Sequence, residues 1–163
     1  MYTSHHKDLK ILLEATQPAS LLVIDPNPEG FPSSYRQIVP GCRIAHVEDN
    51  ILQQLQTLER HDLGVIANTL EHLNRQTAGM VLARLRDLNT RRFIALVPIG
   101  NAWGNQTSYW ETGDLLGYGM SLMARYRVDG RPLYLYHYAI ESYKPTPDWF
   151  NSRHWAHPER WKP

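Results

Sequence analysis

Apolar residues along the first hundred positions fall into two alternating patterns, helical stripes and short continuous runs, and this alternation points to the fold class. Leu9, Leu12 and Leu13 sit at helical spacing between Asp8 and Thr16, with Lys7, Lys10 and Glu14 outside the stripe and Pro18 closing it. Leu21-Leu-Val-Ile24 is an unbroken apolar run ended by Asp25-Pro-Asn-Pro28, the pattern of a strand buried on both faces that stops at a turn. Cys42-Arg-Ile-Ala-His-Val47 is a second strand, less apolar and so nearer an edge, followed by Glu48-Asp49. A helix is predicted from Ile51 to Arg60 on the stripe Leu52, Leu55 and Leu58. Leu63-Gly-Val-Ile-Ala67 is a third strand. Asn68-Thr-Leu-Glu71 reads as an N-cap with a carboxylate three residues on, and a helix from Arg75 to Leu88 buries Ala78, Val81 or Leu82, Leu85 and Leu88. Phe93-Ile-Ala-Leu-Val97, stopped by Pro98, is a fourth strand. Apolar runs separated by helical stripes predict βαβ units with right-handed crossovers and a parallel sheet.

After residue 120 the pattern changes. Ser121–Val128 and Leu133–Ile140 flank Val128-Asp-Gly-Arg131, and Asp-Gly is a preferred two-residue hairpin turn. The second of these strands is covered on both faces, Leu133, Leu135, His137 and Ala139 on one and Tyr134, Tyr136, Tyr138 and Ile140 on the other. It therefore belongs inside the sheet, with Ser121–Val128, carrying Arg125 and Arg127, at the edge. From Tyr143 the chain is rich in Pro and Trp without clear periodicity. The expected organisation is one α/β domain over residues 1–142 with about six strands, and an aromatic tail over 143–163 packed on it.

Composition narrows the function more by exclusion than by assignment. The chain has 163 residues, 17 Lys+Arg against 16 Asp+Glu, and one cysteine. A net charge of +1 is not the footprint of a dedicated nucleic-acid binder. A lone Cys42 excludes internal disulfides and cysteine-rich zinc modules, and only Arg43 lies near it as a cation, so it is not expected to be reactive. No apolar run is long enough for a membrane span and no signal peptide is evident, which makes the cytoplasm the expected compartment. Of seventeen aromatic residues, thirteen lie after residue 102, so Trp149, Phe150, Trp155 and Trp161 are expected to fold back on the domain, or to pack against a protein partner or a second copy.

The element order, with His61-Asp-Leu-Gly-Val-Ile-Ala-Asn-Thr-Leu-Glu-His-Leu73 at its centre, resembles the class I S-adenosylmethionine-dependent methyltransferases, a Rossmann-like family whose sheet ends in a reversed hairpin. Leu70-Glu71-His72-Leu73 looks like that family's "L-E-H-hydrophobic" stretch after the fourth strand, and Phe93–Pro98 sits where the fifth would. The likeness covers roughly residues 8–140. The segment from Tyr143 to Trp161 also looks like that of a small uncharacterised proteobacterial family. The resemblance implies a three-layer Rossmann-like methyltransferase-type sandwich, mostly parallel with a C-terminal antiparallel hairpin, and S-adenosylmethionine as cofactor.

This sequence departs from the pattern at the first turn. Cofactor-binding members carry a glycine-rich loop there, whereas Asp25-Pro-Asn-Pro-Glu-Gly30 has two prolines, which fix φ and remove two amide donors, and a single glycine. A lost or altered cofactor site is the implication: a pseudoenzyme or interaction module, with an active methyltransferase as the alternative and an RNA-associated protein as a further one. The cofactor-binding candidates are Asp25, Asp49 and Asn68, at the carboxyl ends of strands where open α/β sheets place ligands. Asp49 or Glu48 would hold the ribose; in a rival alignment Asp25 ends the second strand and takes that role. Their plain alternative is service as turn and cap residues. Glu71 and His72 would make an acid and base pair only against geometry, since adjacent helical residues point about 100° apart. No metal is expected: His5-His6 is a loose N-terminal pair, and His154 and His157 lack companions. An RNA surface would draw on Arg75, Arg84, Arg86, Arg91, Arg92, Arg125 and Arg127, most simply read as solvated charge.

Overall fold

The computed structural model describes residues 4–27 and 32–139. Pro28, Gly30, Ile140 and the tail residues Trp149, Phe150, His154, Trp155, His157 and Trp161 lie outside the described residues. In chain order the elements are α1 (Ser4–Thr16), β1 (Ser20–Ile24), α2 (Pro32–Ile38), β2 (Arg43–Val47), α3 (Ile51–Thr57), β3 (His61–Ile66), α4 (Arg75–Arg84), β4 (Thr90–Pro98), β5 (Ser121–Val128) and β6 (Arg131–Ala139). The six strands form one sheet in the order β2-β1-β3-β4-β6-β5. β2, β1, β3 and β4 run parallel, while β6 pairs antiparallel with β4 and β5.

Successive side chains of a strand face opposite sides, so each apolar run feeds two cores. Leu21 and Val23 of β1, Leu63 and Val65 of β3, and Ile94 and Leu96 of β4 meet Leu9 and Leu13 of α1 and Tyr35 and Val39 at α2. Leu22, Ile24, Ile66, Phe93, Ala95 and Val97 meet Leu55 of α3 and Ala78, Val81 and Leu82 of α4 on the other face. Two helical layers thus sandwich the sheet. The crossover between β1 and β2 needs a helix, and α2 supplies it. Its hydrophobic pattern is too short to locate by periodicity, though Pro32 stands at its first position, where a proline costs no hydrogen bond.

The hairpin follows its sequence. Val128 pairs with Arg131, Asp129 and Gly130 have φ of 52° and 76°, and Pro132 lies opposite Arg127. β6 is interior and β5 is the edge, with a register shift between Leu122 and Ala124.

Several expectations need correction. The cap of α4 is Asn74, whose Oδ1 accepts from the Thr77 amide at 2.8 Å, and not Asn68, which adopts a left-handed conformation (φ 50°). α4 ends at Arg84 and a wider π turn spans Leu85–Asn89, which rotates Leu88 out of the buried stripe to 53% exposure. Asn89 in that turn donates from Nδ2 to the carbonyls of Leu55 and Leu58, ending α3 earlier than Arg60. His5 and His6 belong to α1 rather than to a loose terminus, and the His5 ring lies 5.7 Å from that of Tyr126.

Candidate functional site

The carboxyl ends of β1, β2 and β3 come together on one side of the sheet. The Asp25 amide donates to the Val47 carbonyl (3.1 Å) and the Ala67 amide to the Ile24 carbonyl (3.0 Å), so the three strand ends stay paired to their last residues. β1 is hydrogen-bonded directly to both β2 and β3. Asp25 therefore ends an interior strand, and Glu48-Asp49 follow the edge strand; the rival placement of Asp25 at the end of a second strand would have left a gap beside β3.

Asp25 is buried, and its Oδ1 accepts from the Asn27 amide (2.9 Å) and from Asn68 Nδ2 (3.2 Å). Burial pushes its carboxyl above the ordinary carboxylate range, against the pull of those two donors and of His46. The His46 ring also reaches the Asp25 carbonyl oxygen at 2.8 Å through Nε2, and its Nδ1 lies 3.4 Å from Glu48 Oε1. Asp49 is exposed and receives Gln54 Nε2 on its carbonyl (2.7 Å) and on Oδ1 (3.1 Å).

These strand ends border two hollows. The first, of about 580 Å³, is walled by Pro26, Glu48, Asp49, Ile51, Leu52, Asn68, His72, Leu73 and Thr77. The second, of about 280 Å³, lies on the other side of Asn68 and takes in His5, Asp25, Tyr35, Glu71 and Trp103. Of the three sequence candidates, Asn68 borders both hollows, Asp49 the first and Asp25 the second. His72 lines the first hollow and Glu71 the second, yet His72 Nε2 and Glu71 Oε1 come within 3.8 Å, closer than the expected divergence of adjacent helical residues.

Sequence reasoning gave little weight to Glu71 and missed Trp103 and the segment that fixes them. The chain after β4 folds back over the β3–α4 turn. The amides of Thr107 and Ser108 donate to the Glu71 carbonyl at 2.7 and 3.1 Å, and Ser108 Oγ donates to the Leu70 carbonyl at 2.9 Å. Trp110 is buried with Nε1 donating to Ser108 Oγ (2.9 Å), and the Arg75 guanidinium lies 4.2 Å from its ring centroid. Arg75 also donates to Asp114 (3.0 Å), and Arg86 pairs with Asp87 (2.7 Å), so two of the arginines considered for RNA serve neighbouring groups. Burial raises the Cys42 thiol, in keeping with an unreactive cysteine. Among the described residues, no group of three or more His, Cys, Asp or Glu is placed to hold a metal, and no helix is long and apolar enough to cross a membrane.

A parallel sheet closed by a reversed hairpin, with its hollows at the carboxyl ends, is the fold of the class I S-adenosylmethionine-dependent methyltransferases. The chain is similar to magnesium protoporphyrin IX methyltransferase from Synechocystis PCC 6803, solved with bound SAM, at 11% identity and a TM-score of 0.59, covering 82% of this chain and 76% of that one. It is also similar to 1,6-didemethyltoxoflavin-N1-methyltransferase from Burkholderia thailandensis, solved with bound 1,6-didemethyltoxoflavin and S-adenosylhomocysteine, at 14% identity and a TM-score of 0.59, covering 83% of this chain and 79% of that one. An O-methyltransferase family protein from Burkholderia thailandensis matches at 9% identity and 0.57; 83% of this chain is covered, but only 55% of that one, so the chain spans about half its length. At these identities the likeness establishes the fold. The chain belongs to a family of unknown function, DUF6231, whose model matches residues 3–163. A search of the curated proteins finds no significant match.

Proposed function

We propose that this protein binds S-adenosylmethionine, or its product S-adenosylhomocysteine, in the first hollow, at a site altered from that of the methyltransferases whose fold it shares. The observation that carries the reading is the open cleft of about 580 Å³ at the carboxyl ends of β1, β2 and β3, a size suited to a small-molecule cofactor. The residues fit the nucleoside half. Glu48 and Asp49, just past the edge strand, offer carboxylates to a ribose diol, and Ile51, Leu52 and Leu73 offer apolar walls to an adenine. Near β1 the fit is poorer, because Pro26 supplies no amide donor and its ring occupies the wall. When bound, S-adenosylmethionine supplies an electrophilic methyl group; the chain's own part would be to hold it, with Asn68 standing between the two hollows, and to exclude water.

Isothermal titration calorimetry with both compounds tests the reading. Binding is expected at or below about 1 mM ligand and should weaken by about tenfold or more in Asp49→Ala combined with Glu48→Ala. No heat at millimolar ligand overturns it. A second reading, a pseudoenzyme or interaction module, is favoured by Pro26 on the cleft wall. It predicts binding without turnover, or no binding, when labelled methyl transfer is followed.

A further inference from the structure

The second hollow contains an acid that the proposed cofactor site does not use. The Glu71 side chain is 7% exposed, and among the described residues its Oε2 has no hydrogen-bond partner. The charged form is otherwise favoured by its own backbone amide and that of Thr69, and by the His72 ring, whose Nε2 lies 3.8 Å from the other oxygen, Oε1. The turn cannot easily rotate it away, because the Thr107 and Ser108 amides clamp the Glu71 carbonyl from outside. Asp25 faces the same space and acts on Glu71 as a like charge.

A buried carboxylate oxygen without a donor is costly, more so when charged, and the usual remedy is a neighbouring cation. The hollow has none of its own: among the described residues no lysine or arginine lines it. Of the histidines, His72 approaches only Oε1, while burial pushes His5 down to about 4 and lowers His6; Oε2 itself keeps no partner among the described residues. Leu9, Leu96, Pro98 and Leu133 form an apolar part of the wall beside Trp103, with Asn27, Tyr35 and Asn68 as its neutral polar members. Two acids thus line one hollow that holds no lysine or arginine among the described residues, and one oxygen of Glu71 is left for a cation that arrives with the ligand.

We propose that the second hollow binds a small protonated amine carrying an apolar body, its ammonium group held by Glu71 Oε2 and its body against Trp103 and Leu96. Binding at this site does not depend on what occupies the first hollow. If the first hollow takes S-adenosylmethionine, the amine stands on the far side of Asn68 as a candidate methyl acceptor once the Glu71 carboxylate takes the ammonium proton and frees the nitrogen lone pair; that role, unlike the binding, rests on the function proposed above.

The test is a titration of the full chain with 2-phenylethylamine and its neutral counterpart 2-phenylethanol, followed by calorimetry and by the indole signal of Trp103 in heteronuclear NMR. The amine is expected to bind at least about tenfold more tightly than the alcohol and to shift the Trp103 signal, and Glu71→Gln should erase the difference. Equal affinity for the two probes, no binding of the amine at 10 mM, a scale of about 3 kcal/mol, or full selectivity retained in a folded Glu71→Gln would each overturn the proposal. The comparison of probes on the wild-type chain decides the matter even where the variant does not fold. The amine titration reads the second hollow whether or not S-adenosylhomocysteine binds the first.

Discussion

Asn68 combines two properties that substitution can separate. Its backbone is left-handed at φ 50°, and its Nδ2 donates to the buried Asp25 at 3.2 Å. Asparagine tolerates that φ, glycine adopts it freely, and an L-residue such as alanine loses about 1–2 kcal/mol there. The hydrogen bond reaches a carboxylate, which would rate about 1.5–3 kcal/mol, but it is long and half-exposed, and Asp25 keeps the Asn27 amide at 2.9 Å. About 1 kcal/mol is the reasonable share. Asn68→Gly should therefore cost about 1 kcal/mol, from the bond alone, and Asn68→Ala about 2–3 kcal/mol, from the bond and the backbone. Asn68→Asp keeps a left-handed-tolerant residue but faces Asp25 with a second carboxylate, so its deficit should grow as the pH rises above the ordinary carboxylate range and both acids ionise.

Urea unfolding at fixed pH reads these differences as midpoint shifts at unchanged slope. Equal destabilisation of the glycine and alanine variants would refute the backbone half of the reasoning. A stability deficit of Asn68→Asp that does not change with pH would refute the electrostatic half, since it would mean that residue 68 does not sense the charge of Asp25.

Other outcomes follow from the same structure. A Cβ on Gly64 would lie 2.7 Å from Thr90 Cγ2 and 3.1 Å from Phe93 Cβ, so Gly64→Ala should destabilise by about 1–3 kcal/mol in urea, and Thr90→Ser, which deletes that methyl but keeps the hydroxyl bond to the Leu85 carbonyl, should recover part of it in a double-mutant cycle. Burial raises the Glu71 carboxyl above its ordinary 4.5, so the folded state holds its proton longer than the unfolded chain and stability falls as the pH rises above 4.5; Glu71→Gln should gain stability relative to wild type over that rise. His5 acts in the opposite sense. Its folded value of about 4 lies below the unfolded 6.5, so its contribution is complete above pH 6.5 and is lost as pH falls toward 4, and His5→Gln should flatten that acid arm of the stability profile. Trp110→Phe keeps most of the buried ring but deletes the bond to Ser108, and is expected to cost about 1–2 kcal/mol and to raise hydrogen exchange at the Thr107 and Ser108 amides.

The elements that could be read from the sequence are those whose burial is nearly complete. β1, with five buried residues in a row, left no doubt about its type, and the Asp129-Gly130 turn fixed the register of the hairpin down to the position of Pro132. What could not be read were features that depend on contacts between distant segments. Asn68 and Asn74 are both good capping residues in sequence, and only the bond from Asn68 to Asp25, forty-three positions away, decides that Asn74 caps the helix. The π turn at Leu85–Asn89 arises because Asn89 is drawn to the carbonyls at the end of α3, an interaction no local pattern carries. The three candidates from strand ends were legible as a group because the carboxyl edge of a parallel sheet is where ligands sit. Their division between two hollows was not, since it depends on which way each side chain turns past the edge.

That division locates the functional question in the β3–α4 turn. Along Asn68-Thr69-Leu70-Glu71-His72, alternate side chains commit to different surroundings: Asn68 to the ridge between the hollows, Leu70 to the core, Glu71 to the second hollow and His72 to the first. A single tight turn can send polar groups both ways only if its backbone is held independently of them. Here the holding comes from the segment after β4, through Thr107, Ser108 and Trp110, and these contacts reach mainly carbonyls and leave the side chains of Glu71 and His72 facing their cavities. A turn used only to join a strand to a helix would not need a buried carboxylate with one oxygen left unpaired among the described residues. The amine proposal for the second hollow therefore turns on Glu71, and the cofactor proposal for the first on Glu48 and Asp49 opposite the Pro26 on its wall.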